Sequence, residues 1–99
     1  MSAQARILIV DDEPAIRDLL RINLGTHDFE TSEASTGEVG LKKAADFHPH
    51  LIIVDLGLPG LGGLEVLKKL RSWTTIPIII LTVTDDEKNQ GHLARRRSR

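Results

Sequence analysis

A chain of 99 residues has room for one domain and no second. It has no cysteine, which excludes a disulfide framework, a thiolate nucleophile and Cys-ligated zinc. With 40% apolar and 27% charged residues it fits a globular domain, not a disordered chain, and no apolar run reaches membrane-spanning length. The N-terminus lacks the basic-then-apolar layout of a signal peptide, so a cytoplasmic location and no membrane contact are expected. The net charge of −1 is unevenly spread. Arg95, Arg96, Arg97 and Arg99 make the end basic and leave the body acidic. Such an end can attract nucleic acid, but no aromatic residue is interleaved with the arginines, and a solvated, disordered tail over 89–99 is expected.

Arg6–Val10 (RILIV) is a short, β-branched run that stops at Asp11, Asp12 and Glu13, as a strand buried on both faces would. Pro14 suits the first turn of a helix, in which Ile16, Leu19, Leu20 and Leu24 recur at helical spacing before Gly25. Phe29–Ala34 alternates weakly and reads as a second strand near an edge. Ser35 and Glu38 have the spacing of a capping box for a helix reaching about Phe47. Gly40 inside that helix costs about 1 kcal/mol relative to alanine. Leu51–Val54 (LIIV) is a third strand ending at Asp55, followed by a loop rich in glycine and proline from Leu56 to Gly63. Leu64, Leu67 and Leu70 mark a third helix with these leucines in the core, running to about Trp73, which would cap its end. Pro77–Leu81 (PIIIL) is a fourth strand ending at Thr82. Thr84 and Glu87 announce a fourth helix, but the following NQGHLARRRSR has too few apolar residues to cover a sheet face.

Strand–helix alternation with short connections implies an α/β domain, a doubly wound parallel sheet. Ligands of such sheets bind beyond the carboxyl ends of the strands. If the first and third strands are neighbours, about 4.8 Å apart, Asp11, Asp12 and Asp55 converge on one small pocket. Three carboxylates that close do not all stay ionised without a cation, and hard oxygen ligands suit magnesium when a phosphoryl group completes its shell. Against this stands the plainer reading of strand-end acids as solvated loop residues or helix N-caps. Their coincidence at equivalent strand ends favours a site. His48 and His50, flanking Pro49, lack a third metal ligand at suitable spacing and read as the polar lead-in to the third strand.

The runs ILIVDDEP (Ile7–Pro14), LIIVDLGLPGLGG (Leu51–Gly63) and PIIILT (Pro77–Thr82) resemble the receiver domains of two-component response regulators. The resemblance covers residues 5 to about 88, an incomplete receiver domain. DLGLP and RSWTTIPIIIL look most like the winged-helix (OmpR/PhoB-like) group, of the Kdp type that governs high-affinity potassium transport. It implies a flavodoxin/CheY-like fold with strand order 2-1-3-4. It also implies that Asp55 is the phosphoacceptor for a sensor histidine kinase, with Mg2+ held by Asp11, Asp12, Asp55 and the backbone carbonyl of Gly57. Thr82 would bond the arriving phosphoryl oxygen, and Pro59 and Gly63 would shape the loop. Such a module is a signalling domain, not an enzyme acting on an outside substrate, and does not itself bind DNA.

The departures from the family pattern are at the end. Receivers carry a fifth strand ending in lysine and a fifth helix. The lysines here are Lys42, Lys43, Lys68, Lys69 and Lys88, and none follows a fifth apolar strand. This looks like a truncation or shifted reading frame after about residue 88, with impaired function. A degenerate receiver acting only as a protein-binding module is the alternative. A haloacid-dehalogenase-type phosphatase is disfavoured, because Gly57 stands where its general acid would be. Without a fifth strand, Ile76–Thr82 would be a bare apolar edge, so a homodimer or aggregate through the fourth strand is expected.

Overall fold

A β-branched run presents side chains alternately to two faces, and here both faces are covered. The structure, a computed structural model, describes residues 4–83 and 93–98. Its order is β1 (Arg6–Val10), α1 (Pro14–Thr26), β2 (Glu30–Ala34), α2 (Gly37–Phe47), β3 (Leu51–Asp55), α3 (Gly63–Arg71), β4 (Ile78–Val83) and β5 (Leu93–Ser98). The sheet order is β2-β1-β3-β4-β5, with the first four strands parallel, the doubly wound arrangement expected. One face packs Leu8, Val10, Ile52, Val54 and Ile78 with Ala44 of α2 and Val66 and Leu70 of α3. The other packs Ile7, Ile9, Ile53 and Leu81 with Ile16, Leu20 and Leu24 of α1. Each such side chain, fully buried, contributes about 1.5–3 kcal/mol. No helix among the described residues is long and apolar enough to cross a membrane.

Several local expectations need correction. Leu19 is 51% exposed, because the inward arc of α1 is Ile16, Leu20 and Leu24, and Leu19 lies a quarter-turn off it. Leu64 is 55% exposed for the same reason: α3 turns Gly63, Val66 and Leu70 inward. Trp73, beyond the end of α3, is also exposed. The cap of α2 is Thr36, not Ser35; its Oγ1 accepts from Val39 N at 3.2 Å, which leaves Glu38 one position short of a capping box. Thr84 and Glu87 lie outside the described residues.

The largest difference is at the end of the chain. Leu93–Ser98, expected in a disordered tail, pairs antiparallel with β4, from Val83↔Leu93 to Ile78↔Ser98. An antiparallel partner needs no crossover helix, and only positions 84–92 separate the two strands in sequence. Among the described residues there is no fifth parallel strand, but β4 is not a bare edge. The expectation of a homodimer or aggregate through an exposed fourth strand loses its premise.

Gly40, a liability by propensity, packs tightly against β1. A Cβ there would lie 2.9 Å from both Cγ atoms of Val10, which is itself fully buried. Helix propensity alone predicts that Gly40→Ala stabilises by about 1 kcal/mol. The packing predicts instead a loss of about 1–3 kcal/mol, read from urea unfolding midpoints. A stabilised variant would contradict the close approach.

Candidate functional site

The strand order reverses between β1 and β3, which opens a crevice above their carboxyl ends. The register there pairs Val10 with Val54, so Asp11 and Asp55 follow at the same level on adjacent strands. Asp12 is the next residue on the β1 side. Asp11, Asp12 and Asp55 can each offer a carboxylate oxygen such that all three lie within 4.8 Å of one another, the only such group among the described residues. Asp11 and Asp55 are buried and Asp12 is exposed.

Local hydrogen bonds fix the two buried acids. Glu13 N donates to Asp11 Oδ1 at 2.9 Å, and Gly57 N donates to Asp55 Oδ1 at 3.0 Å. Asp11 N donates to Ala34 O at 3.0 Å, and Leu56 N donates to Leu81 O at 2.9 Å, so β2 and β4 grip the flanks of the site. β4 pairs Leu81 with Asp55, which places Thr82 one residue further along the neighbouring strand.

The arrangement is electrostatically strained. At an effective dielectric of about 20, two unit charges about 5 Å apart repel by about 3 kcal/mol. Burial pushes the Asp11 carboxyl from 3.8 up to about 6; the Glu13 N–H partly offsets this, and the charges of Asp55, Asp12 and Glu13 add to it. Burial also raises Asp55; the Gly57 N–H opposes it, and the charge and hydrogen bond of Asp12 reinforce it. Three hard carboxylates that close, two of them shielded from water and held above their ordinary range, fit a small divalent cation.

The structure brings together every acid proposed from the sequence. Gly57 joins them through its N–H; a Cβ on it would sit 3.7 Å from Asp55 Oδ1, an ordinary contact. Pro59 is exposed and Gly60 adopts φ +67, so this loop does contain a turn that favours glycine. Gly63 does more than shape a turn. It begins α3, and a Cβ there would lie 2.3 Å from the Asp55 carbonyl oxygen, so α3 seats directly on the backbone of Asp55.

Sequence reasoning missed Arg17. Its Nη1 donates to the Asp11 carbonyl at 2.8 Å and its Nε to Glu33 Oε1 at 3.2 Å. The available signal was an arginine one turn into α1, spaced to share Glu33 with Arg21. His48 and His50 are remote from the acids, at the amino end of the sheet. His50 Nδ1 accepts from Arg6 N at 2.9 Å, and the His48 carbonyl accepts from the Arg6 guanidinium, which accounts for both without a metal.

The strain predicts a pH signature. Asp11 takes up its proton near 6 in the folded chain and near 4 when unfolded, so between those values the folded state holds more protons. This group's contribution to stability therefore falls as pH rises through that window. In chelator at pH 7, Asp55→Asn is expected to be more stable than wild type by about 1–3 kcal/mol. The advantage should shrink at pH 5, where protonation relieves the same repulsion. Thermal melts of both proteins at the two pH values decide it; a variant less stable than wild type at pH 7 would remove the strain.

Comparison with known proteins agrees with this geometry. The sequence matches the response regulator receiver domain family over residues 7–96. It is 43% identical over 84 residues to the transcriptional regulatory protein KdpE of Mycobacterium tuberculosis, covering 85% of this chain and 37% of that protein. It is 46% identical over 83 residues to the alkaline phosphatase synthesis transcriptional regulatory protein PhoP of Bacillus subtilis, covering 83% of this chain and 35% of that protein. The chain thus spans little more than a third of these relatives' length. Among solved structures, the response regulator TrrA of Thermotoga maritima in complex with Mg2+ and BeF superposes with a TM-score of 0.79 at 39% identity, over 88% of this chain and 76% of that one. The BeF3-activated receiver domain of Klebsiella pneumoniae RstA gives 0.77 at 31% identity, over 85% and 72%. A match over nearly the whole sequence, on the sheet order and acidic cluster described above, shows that this chain belongs to the response regulator receiver domain family.

Proposed function

We propose that the chain is a phosphoacceptor module, taking a phosphoryl group from the phosphohistidine of a sensor histidine kinase onto Asp55. The observation that carries this reading is the convergence of Asp11, Asp12 and Asp55 within 4.8 Å at two adjacent strand ends. The relatives named as transcriptional regulators support a place as the signal-receiving part of such a regulator, of the Kdp type. The reading leaves DNA contact to other parts of such a regulator.

Gly57 N–H holds Oδ1 and so fixes the plane of the Asp55 carboxylate. One carboxylate oxygen attacks phosphorus, the P–N bond to the kinase histidine breaks, and the electron pair returns to the imidazole nitrogen, which takes a proton. Asp11, Asp12 and Asp55, with the Gly57 carbonyl, would hold Mg2+. When bound, the ion neutralises the crowded carboxylates and the phosphoryl oxygens, and so keeps Asp55 in the anionic form that can attack. Thr82, beside Asp55 on β4, would bond a phosphoryl oxygen.

β5 (LARRRS) contains no lysine, and neither does any other described strand, so no described strand offers the ammonium group that the family pattern places at the phosphoryl site. Losing one such donor slows transfer by about 100- to 1,000-fold. Treatment with a small phosphodonor and magnesium, followed by intact mass, should show a slow gain of one phosphoryl group, absent from Asp55→Asn. Chains that bind magnesium yet never gain mass would favour the alternative, a receiver that has become a phosphorylation-independent interaction module. A rate equal to that of a complete receiver would contradict the expected impairment.

A further inference from the structure

Asp12 is the least secured of the three acids. Backbone N–H groups hold Asp11, from Glu13, and Asp55, from Gly57, whereas among the described residues none donates to the Asp12 carboxylate. Asp12 is also the exposed member of the group. Its side chain meets the like-charged Asp55 carboxylate, so its aim depends on how its own backbone is held.

The Asp11 carbonyl belongs to the peptide that joins Asp11 to Asp12. That unit is planar, so fixing the C=O fixes the nitrogen and Cα of Asp12. Arg17 Nη1 donates to this carbonyl at 2.8 Å. The guanidinium is itself aimed by Glu33 of β2, with Nε 3.2 Å from Oε1. Glu33 is held in turn by Arg21 Nε, 3.1 Å from Oε2, and by Lys43 Nζ, which donates to its carbonyl at 2.6 Å. The Arg17 side chain is largely shielded from water, which strengthens its hydrogen bonds and restricts its rotamers. The charge of Arg17 is met by Glu33, so what it gives the site is orientation.

We propose that Arg17 is a positioning residue for the cation pocket: it locks the Asp11–Asp12 peptide and thereby aims the Asp12 carboxylate at the ion. The inference rests on the phosphoacceptor reading and goes beyond it, because Arg17 bonds the Asp11 carbonyl and Glu33 and not the carboxylates of the pocket. Groups that orient metal ligands from behind typically change metal affinity by about 10- to 100-fold when lost. An arginine that merely tied α1 to β2 would lower stability and leave affinity unchanged.

The test is calorimetric titration of the full chain with magnesium alone, paired with thermal melts in chelator. Arg17→Met keeps the apolar stem and removes every donor. It should bind magnesium about 10-fold more weakly at temperatures where its melt shows it folded. Arg17→Lys, whose single ammonium lacks the fork that reaches both the carbonyl and Glu33, should fall between that variant and wild type. If Arg17→Met does not fold, Glu33→Gln serves instead: it keeps Arg17 but replaces the charged acceptor by a neutral amide, loosens the guanidinium, and should weaken binding in the same direction by less. Folded variants binding within twofold of a saturating wild type would overturn the positioning role and leave the phosphoacceptor site standing. A wild type that binds no magnesium at millimolar concentration would overturn the site itself, and this inference with it.

Discussion

Asp11 and Asp55 stand side by side because β1 and β3 pair in the register that sets Val10 against Val54, and both chains continue by one more residue. Everything distinctive about the site follows from that adjacency. Two carboxylates are drawn out of water next to each other, a third is added by the following residue, and the fold holds them there at a cost to its own stability. A cation bound there would relieve that cost, and would couple occupancy of the pocket to the stability of the whole sheet.

The rest of the molecule can be understood as what keeps this crowding from relaxing. The sheet is packed on both faces, so neither strand can tilt away without opening a core. β2 and β4 grip the flanks through Asp11 N to Ala34 O and Leu56 N to Leu81 O. Two glycines allow helices closer than a side chain would permit: Gly40 brings α2 onto Val10, and Gly63 seats α3 on the Asp55 backbone. At the far end of α3, Arg71 bonds the carbonyls of Thr74 and Ile76 and closes the turn into β4. Arg17 and Glu33 close the frame from the β2 side.

The sequence carried the parallel strands and the three acids clearly, because a β-branched run that stops at an acid is a strong local pattern. RILIV, LIIV and PIIIL each became a strand within one or two residues of the bounds read for it. What sequence could not show was anything set by the third dimension. Leu19 and Leu64 are leucines at helical spacing, yet a shift of one position around the helix turns them to solvent. Gly40 looks like a defect until Val10 is found against it. Leu93–Ser98 has a composition suited to solvent, and no local pattern announces that it will pair with β4. Arg17 is one arginine among several on a polar face, and only the folded chain brings it to the Asp11 carbonyl.

The central claim is that the three carboxylates form one cation site. Calorimetric titration with magnesium of wild type, Asp12→Asn and Asp55→Asn, all verified as folded, tests it most directly. The account predicts saturable one-to-one binding to wild type and markedly weaker binding to each variant, since each loses an anionic oxygen from the same shell. Equal affinity in all three proteins, or no binding to wild type, would contradict it.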